Sequence, residues 1–169
     1  MPIINIGENN PLVDGRQSET ALMIQRGMVR FLEERGFAVL TEFPLASGRR
    51  ADILALDKKG RFSLIEIKSS IEDFKVDSKW PEYVDFCDHF AFATAASVPA
   101  DIFPTNEALY IADQFGAECI READEGKLSP ATRKALTLRF ARIAAKRAEK
   151  IIQFASNSTL GLPTILDTD

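Results

Sequence analysis

The chain has 169 residues, of which 46% are hydrophobic, and a formal net charge of −4 at pH 7. Its length and apolar content predict one globular domain with a sizeable core, and its negative charge argues against a protein that binds nucleic acid through its overall field. The two cysteines, Cys87 and Cys119, lack metal-ligand spacing. No segment is close to the length of about 20 apolar residues that a membrane span requires. We therefore expect a reduced, cytoplasmic protein without membrane contact.

The predicted elements begin after an irregular N-terminal arm at residues 1–16. Ser18 is expected to cap a helix that runs to about Glu34 and stops at Gly36. Alternation over residues 37–43 then predicts a strand. The remaining predicted elements are two strands carrying Asp52 and Glu66, a short helix after Ser70, a helical turn at Pro81, strands at 89–95, 109–112 and 117–121, and a helix from 130 to about 155.

This order of helices and strands predicts an α/β fold, with a mixed sheet flanked by helices. We expect one domain at residues 17–156 and a loose C-terminal tail at 157–169, where serine, threonine, glycine and aspartate dominate.

The two strands around the loop Lys58-Lys59-Gly60 are predicted to form a hairpin. A three-residue loop pairs Asp57 with Arg61, and counting back along both strands places Asp52 opposite Glu66. Because side chains alternate between the faces of a sheet, Lys68 lies on the same face.

Two directly opposed carboxylates, with Cβ atoms about 5 Å apart, repel each other. They need a cation between them, or one of them must take up a proton. A divalent metal beside Lys68 meets that need, and oxygen ligands favour Mg²⁺ or Mn²⁺. The alternative is a purely structural charge cluster in which Asp52 and Glu66 pair with Arg50 and Lys68.

The chain resembles the PD-(D/E)XK nuclease superfamily, in which an aspartate heads one strand and a Glu-x-Lys motif lies on the next. The segments Gly48-Arg49-Arg50-Ala51-Asp52, Glu66-Ile67-Lys68-Ser69-Ser70 and Lys79-Trp80-Pro81-Glu82-Tyr83 are similar to the MmcB family, classed among bacterial DNA-repair proteins. The resemblance extends over residues 17–150. It implies a restriction-endonuclease-like fold and metal-dependent cleavage of DNA phosphodiester bonds.

The resemblance also implies roles for single residues. Asp52 and Glu66 match the metal-binding carboxylates, together with the carbonyl of Ile67, and Lys68 matches the lysine that orients the attacking water. Glu19 matches an acidic residue that many members place beside the metal.

DNA contact is predicted at basic positions near this site, since few phosphate contacts are expected from an acidic protein. The candidates are Arg49, Arg50, Lys75, Lys79 and Tyr83. Lys79 replaces a glutamine that one branch of the superfamily carries, and Tyr83 has core packing as its alternative. A basic stripe from Arg139 to Lys150 is either an outer DNA track or a solvated helix face.

The leading functional hypothesis is a Mg²⁺- or Mn²⁺-dependent DNA endonuclease that works in repair, with DNA and repair proteins as partners. The competing hypothesis is an inactive nuclease-fold module that binds DNA or docks to proteins. An RNA-processing enzyme with the same residues is a third hypothesis.

Overall fold

The computed structural model describes residues 18–160, so the predicted arm at 1–16 and residues 161–169 of the predicted tail lie outside the described residues. The described chain forms two compact units, one ending at Ser129 and the other beginning at Pro130. Within the described range, no helix is both long and apolar enough to cross a membrane.

The first unit contains six strands, two α-helices and two short 3₁₀ helices. These elements are α1 (Glu19–Glu34), β1 (Ala38–Pro44), β2 (Arg50–Leu56), β3 (Phe62–Lys68), α2 (Ile71–Val76), the 3₁₀ helix Trp80–Phe86, β4 (His89–Thr94), the 3₁₀ helix Ala100–Ile102, β5 (Ala108–Ala112) and β6 (Ala117–Arg121). The second unit contains α3 (Pro130–Leu160).

The six strands form one sheet in which spatial order follows chain order, from β1 to β6. The pairs β1–β2, β2–β3 and β5–β6 are antiparallel, whereas β3–β4 and β4–β5 are parallel. The predicted α/β class, a restriction-endonuclease-like mixed sheet flanked by helices, is confirmed.

Helix α1 begins and ends where the sequence predicts. The Ser18 hydroxyl accepts a hydrogen bond from the Ala21 N–H at 3.1 Å, and Gly36 follows the helix with φ +81°. The helix packs on one face of the sheet. The strand side chains that it contacts there are the odd-numbered ones of the central strands. This core includes Ile24, Met28, Leu32, Ile53, Ala55, Ile65, Ile67, Ala91 and Ala93.

The even-numbered face of the sheet is covered differently, by aromatic side chains. Phe92 of β4 lies directly across from Glu66 in the ladder. The rings of Trp80, Phe74 and Phe103 pack around Phe92 with centroid distances of 5.3, 5.6 and 5.3 Å. Half-buried Trp80 therefore packs on the face that carries the candidate site.

One boundary and one element type differ from the prediction. Helix α3 continues to Leu160 instead of about Ala155, so the predicted tail begins inside the helix. No glycine or proline interrupts residues 156–160, and Gly161 is the first helix breaker after them. In α3, Leu136 and Phe140 are buried, whereas Ile151, Ile152 and Phe154 are exposed.

The segment around Pro81 forms a 3₁₀ helix instead of an α-helical turn. With three residues per turn, Tyr83 and Phe86 share a face and Val84 points away from it. Tyr83 is buried, whereas Val84 is 40% exposed.

Candidate functional site

The β2–β3 hairpin adopts the predicted register. The Asp57 N–H donates to the Arg61 carbonyl at 3.0 Å, and Gly60 supplies the left-handed loop position with φ +79°. The ladder pairs Ile53 with Ile65, and one further step along both strands sets Asp52 against Glu66.

Asp52 takes part in the hairpin through its side chain. Its Oδ2 accepts a hydrogen bond from the Ile67 N–H at 2.7 Å. Burial raises the pKa of Asp52 to about 6, although the Ile67 hydrogen bond and the Lys68 charge both act to lower it. The aspartate is therefore held in a fixed position, in surroundings that disfavour its charge.

Glu66 is buried, with 6% of its surface exposed. Its Oε1 lies 3.3 Å from the Lys68 Nζ, while Oε2 is buried without a hydrogen-bond partner in the described chain. Burial, followed by the charge of Asp52, raises the pKa of Glu66 to about 8. An unsatisfied buried carboxylate oxygen costs free energy unless a ligand meets it.

Lys68 is even less exposed, at 4%. Its Nζ lies 2.6 Å from Asp77 Oδ2, closer than it lies to Glu66. Burial acts to lower the pKa of Lys68, but Glu66 and Asp77 outweigh it and the net pKa is raised. The lysine is therefore a charged ammonium, held between the carboxyl groups of Glu66 and Asp77.

The sequence did not identify three acidic residues around this cluster. Asp77 pairs with Lys68, and the charges of Glu42 and Asp73 both raise the pKa of Asp52. Charge balance gave no signal for them, because a lysine beside two carboxylates already leaves a net negative cluster, which favours further cations and not further acidic residues. Their positions depend on how the segment after β3 folds back.

Glu42 of β1 occupies the ladder position next to Asp52, between the pairs Thr41–Ile53 and Phe43–Ala51. Its φ is +49°, and no other non-glycine residue in the described chain has positive φ. Such a conformation costs about 1–3 kcal/mol and is concentrated at functional sites. The Glu42 carboxylate lies 2.6 Å from the Arg50 guanidinium.

The predicted DNA-contacting residues lie in the chain segments that precede and follow the cluster residues. Arg49 donates two hydrogen bonds to Glu82, at 2.6 and 2.8 Å. Tyr83 is 8% exposed and donates its hydroxyl to the Arg50 carbonyl at 3.3 Å. This buried position agrees with the core-packing alternative for Tyr83.

Lys75 and Lys79 are both exposed. Lys75 lies in the last turn of α2, whereas Lys79 precedes the 3₁₀ helix and donates its N–H to Asp77 Oδ1 at 2.8 Å. The two lysines therefore do not share one continuous helix.

The structure does not bring Glu19 into the cluster. It is exposed in the first turn of α1, the helix that packs on the opposite sheet face. The main charge effects on Asp52 come from Lys68, Glu42 and Asp73, and those on Glu66 come from Asp52, Lys68 and Asp77.

The donor set fits a hard divalent cation. In the described chain, no group of three or more His, Cys, Asp or Glu side chains is arranged to hold a metal ion. Mg²⁺ is commonly held by one or two carboxylates while it keeps several waters. Asp52 and the unpartnered Oε2 of Glu66 supply that number, and the predicted Ile67 carbonyl would add a third oxygen.

Fold and site together define an α/β protein with a carboxylate pair and a buried lysine on the β2–β3 hairpin of its mixed sheet. The family model described as DNA repair protein MmcB-like matches residues 8–155. The chain belongs to this MmcB-like family of DNA repair proteins, which confirms the family resemblance and supports a role in DNA repair.

A solved structure of a protein of unknown function from Silicibacter pomeroyi is similar to this chain. The two share 37% sequence identity with a TM-score of 0.76, and the match covers 88% of this chain and 99% of that protein. No curated protein matches the chain.

Proposed function

We propose that this protein is a Mg²⁺- or Mn²⁺-dependent endonuclease that hydrolyses DNA phosphodiester bonds during repair. The observation that carries the proposal is the buried Glu66 Oε2, which has no hydrogen-bond partner in the described chain. It belongs to a cluster in which Asp52 is fixed by a backbone hydrogen bond and Lys68 is a buried ammonium. A structural ion pair gives no reason to leave that oxygen unsatisfied.

Each residue of the cluster would have a separate chemical role. Asp52 and Glu66 would hold the metal, with the Ile67 carbonyl as a further ligand. When bound, the metal lowers the pKa of a water and neutralises charge on the phosphate. The Lys68 ammonium is close enough to Glu66 to orient a water at the same place and to stabilise developing negative charge. Glu19 remains a candidate, from the sequence resemblance alone, for the acidic residue that many members of the superfamily place beside the metal.

DNA would approach from the side of Arg49, Arg50, Lys75 and Lys79. In this structure Arg49 and Arg50 are each paired with a glutamate, Glu82 and Glu42 respectively. Phosphate oxygens bind a guanidinium in the same two-pronged way as a carboxylate does. We therefore expect a DNA phosphate to compete with the Glu82 carboxylate for binding to the Arg49 guanidinium.

The test is incubation with single-stranded, nicked, branched and damaged DNA in Mg²⁺, Mn²⁺ or a chelator. We expect cleavage of at least one DNA form that depends on the metal. Glu66→Gln should abolish it, and Lys68→Met should reduce it about 10²–10³-fold, the usual loss for a group that stabilises transition-state charge. Glu72→Gln, an equal charge change at an exposed position of α2, is the matched control.

Metal binding is measured separately by calorimetry without DNA. Binding that is weak in native protein and lost in Glu66→Gln is the expected result. If no DNA is cut, or if Lys68→Met cuts as well as native protein, the endonuclease proposal is wrong.

The alternative is a nuclease-fold module that binds DNA or docks to a repair protein without cutting. The pairing of Arg49 and Arg50 with glutamates favours the docking form of this alternative, because both cations are already neutralised near the site. Binding of DNA without cleavage, unchanged in Glu66→Gln, would support this alternative.

A further inference from the structure

Asp77 lies in the segment that closes over the even-numbered face of the sheet. It directly follows α2, where its N–H donates to the Phe74 carbonyl at 3.2 Å. Its side chain is only 15% exposed, although its neighbours Val76 and Ser78 are exposed. An aspartate turned inward from an exposed segment needs a partner.

Both oxygens of the Asp77 carboxylate are engaged. Oδ2 lies 2.6 Å from the Lys68 Nζ, and Oδ1 accepts the Lys79 N–H at 2.8 Å. The backbone hydrogen bond fixes the carboxylate to the turn, and the carboxylate in turn fixes the ammonium. Lys68 therefore meets a rigid anchor on one side and Glu66, at 3.3 Å, on the other.

The two partners of Lys68 have different surroundings. Glu66 has a free buried oxygen and is the candidate metal ligand, so its charge would be shared with a bound cation. Asp77 has no such free oxygen, since Lys68 and the backbone occupy both. The contact that persists when Glu66 turns to a metal is the one between Lys68 and Asp77.

We propose that Asp77 is a positioning residue that holds the Lys68 ammonium beside the candidate metal site. The assignment of a catalytic consequence rests on the proposed nuclease function, whereas the anchoring itself rests on the contacts above. Asp77 acts through Lys68 and touches neither the metal nor the phosphate.

The anchoring is tested by NMR on protein labelled with ¹⁵N at lysine side chains, at mildly acidic pH and low temperature. Exposed ammonium groups exchange their protons too fast to give a signal, whereas a buried, hydrogen-bonded one persists. Native protein should show a persistent ammonium signal that Lys68→Met removes. Asp77→Asn should also remove or strongly broaden it, because one oxygen of the carboxylate becomes an amide donor.

The control is Asp85→Asn, which makes the same charge change at an exposed position of the 3₁₀ helix Trp80–Phe86. It should leave the Lys68 signal in place. Asp77→Asn retains one oxygen that can accept from the Lys79 N–H, so the turn itself is expected to persist.

The catalytic consequence is tested on whichever DNA the native protein cuts. Asp77→Asn should lower kcat about 10–100-fold, the usual effect of losing a group that orients a site residue, with KM changed by no more than about twofold. A purely structural role would lower the melting temperature and leave kcat per folded molecule unchanged.

Each outcome decides one of three claims: the anchoring of Lys68, the positioning role of Asp77 and the nuclease function. A Lys68 signal that persists in Asp77→Asn, or its absence from native protein, overturns the anchoring. An unchanged kcat in an active Asp77→Asn protein overturns the positioning role. Native protein that cuts no DNA overturns the nuclease function alone, because the NMR comparison still decides the anchoring.

Discussion

At the scale of single residues, the carboxyl group of Glu66 sets the energetics of the site. It is buried, faces Asp52 across the hairpin, and is only partly compensated by Lys68. Without a metal, holding a proton is the less costly state for such a group. The site should therefore alternate between a protonated form and a metal-bound form.

This alternation gives a pH-dependent stability. The ordinary pKa of the glutamate is 4.5, and in the folded protein it is about 8. Between these values the folded protein keeps a proton that the unfolded chain has lost, so metal-free protein should lose stability as pH rises through this window. Above the folded pKa, Glu66→Gln should be more stable than native protein by roughly 1–3 kcal/mol, the cost of an unsatisfied buried polar group.

Urea unfolding on both sides of that window, with and without Mn²⁺, measures the effect. With saturating Mn²⁺, native protein should become more stable than Glu66→Gln. A ligand that binds only the folded native protein stabilises it by mass action. Glu72→Gln should follow the native profile. Equal stability of native protein and Glu66→Gln across the window would contradict the prediction.

The two thiols should differ in reactivity. Cys87 is 3% exposed, its Sγ donates to the Tyr83 carbonyl at 3.6 Å, and burial raises its pKa to about 12. Cys119 is partly exposed, and its pKa is raised by burial and by its hydrogen bond to Glu122. Because thiolates are the reactive species, a disulfide reagent should titrate Cys119 first and Cys87 only on unfolding. Cys119→Ser should remove the early phase; an early phase that remains would refute the assignment.

The sequence was sufficient to place Asp52, Glu66 and Lys68 together because their relation depends on local rules. Loop length sets the hairpin register, and the period of two sets the face. The same rules do not reach Asp77, which meets Lys68 only after α2 folds back over the sheet. Nor do they predict the φ of +49° at Glu42, which disagrees with the ordinary preference of its residue type.

At the scale of elements, α1 is fitted closely to the turn between β5 and β6. A Cβ atom at Gly27 would overlap the carbonyl oxygens of Asp113 and Gly116. Alanine normally favours a helix by about 1 kcal/mol over glycine, but the atoms met here are backbone and cannot rotate away. The helix must therefore carry glycine at this contact.

Gly27→Ala should destabilise the protein by about 1–3 kcal/mol, the usual cost of overpacking, as measured by thermal and urea unfolding. Gly116→Ala adds the same methyl group in the facing turn, where it would meet no atom within 4 Å, and should be close to neutral. If both variants had native stability, the close approach of α1 to this turn would be wrong.

Element order was predictable from hydrophobic periodicity and capping residues, as at Ser18 and Gly36. The type and length of an element were harder to predict where hydrophobic periodicity and capping residues gave weak signals. The segment Trp80–Phe86 became a 3₁₀ helix, and α3 continued past Ala155 through serine and asparagine residues. Residues with short polar side chains can be part of a helix, but their helix propensity is too low to predict one.

At the scale of the whole molecule, charge is unevenly distributed along an acidic chain. Residues 130–150 carry seven basic side chains against one acidic, while residues 101–125 carry seven acidic against one basic. On the proposed function, we therefore expect DNA to contact local basic positions, and each phosphate contact to contribute about −0.9 to the slope of log affinity against log salt.

We expect Lys79→Glu to weaken DNA binding and to make that slope shallower by about one contact. Arg142→Glu, an equal charge reversal on α3, should change the slope less if that stripe is a solvated face. Binding titrations across salt concentration measure both. A slope that responds to Arg142→Glu alone would place the DNA on α3 instead of beside the hairpin.

The hydrogen bond from Ile67 to Asp52 also determines how an inert form of the protein should be made. Alanine at position 52 would leave the Ile67 N–H without its acceptor, so lost cleavage would be confounded with a frayed hairpin. Asp52→Asn keeps an oxygen in reach of that N–H and removes the negative charge. On the proposed nuclease function, this variant should act as a substrate trap that binds DNA without cleaving it, so that the captured strands can be recovered and sequenced.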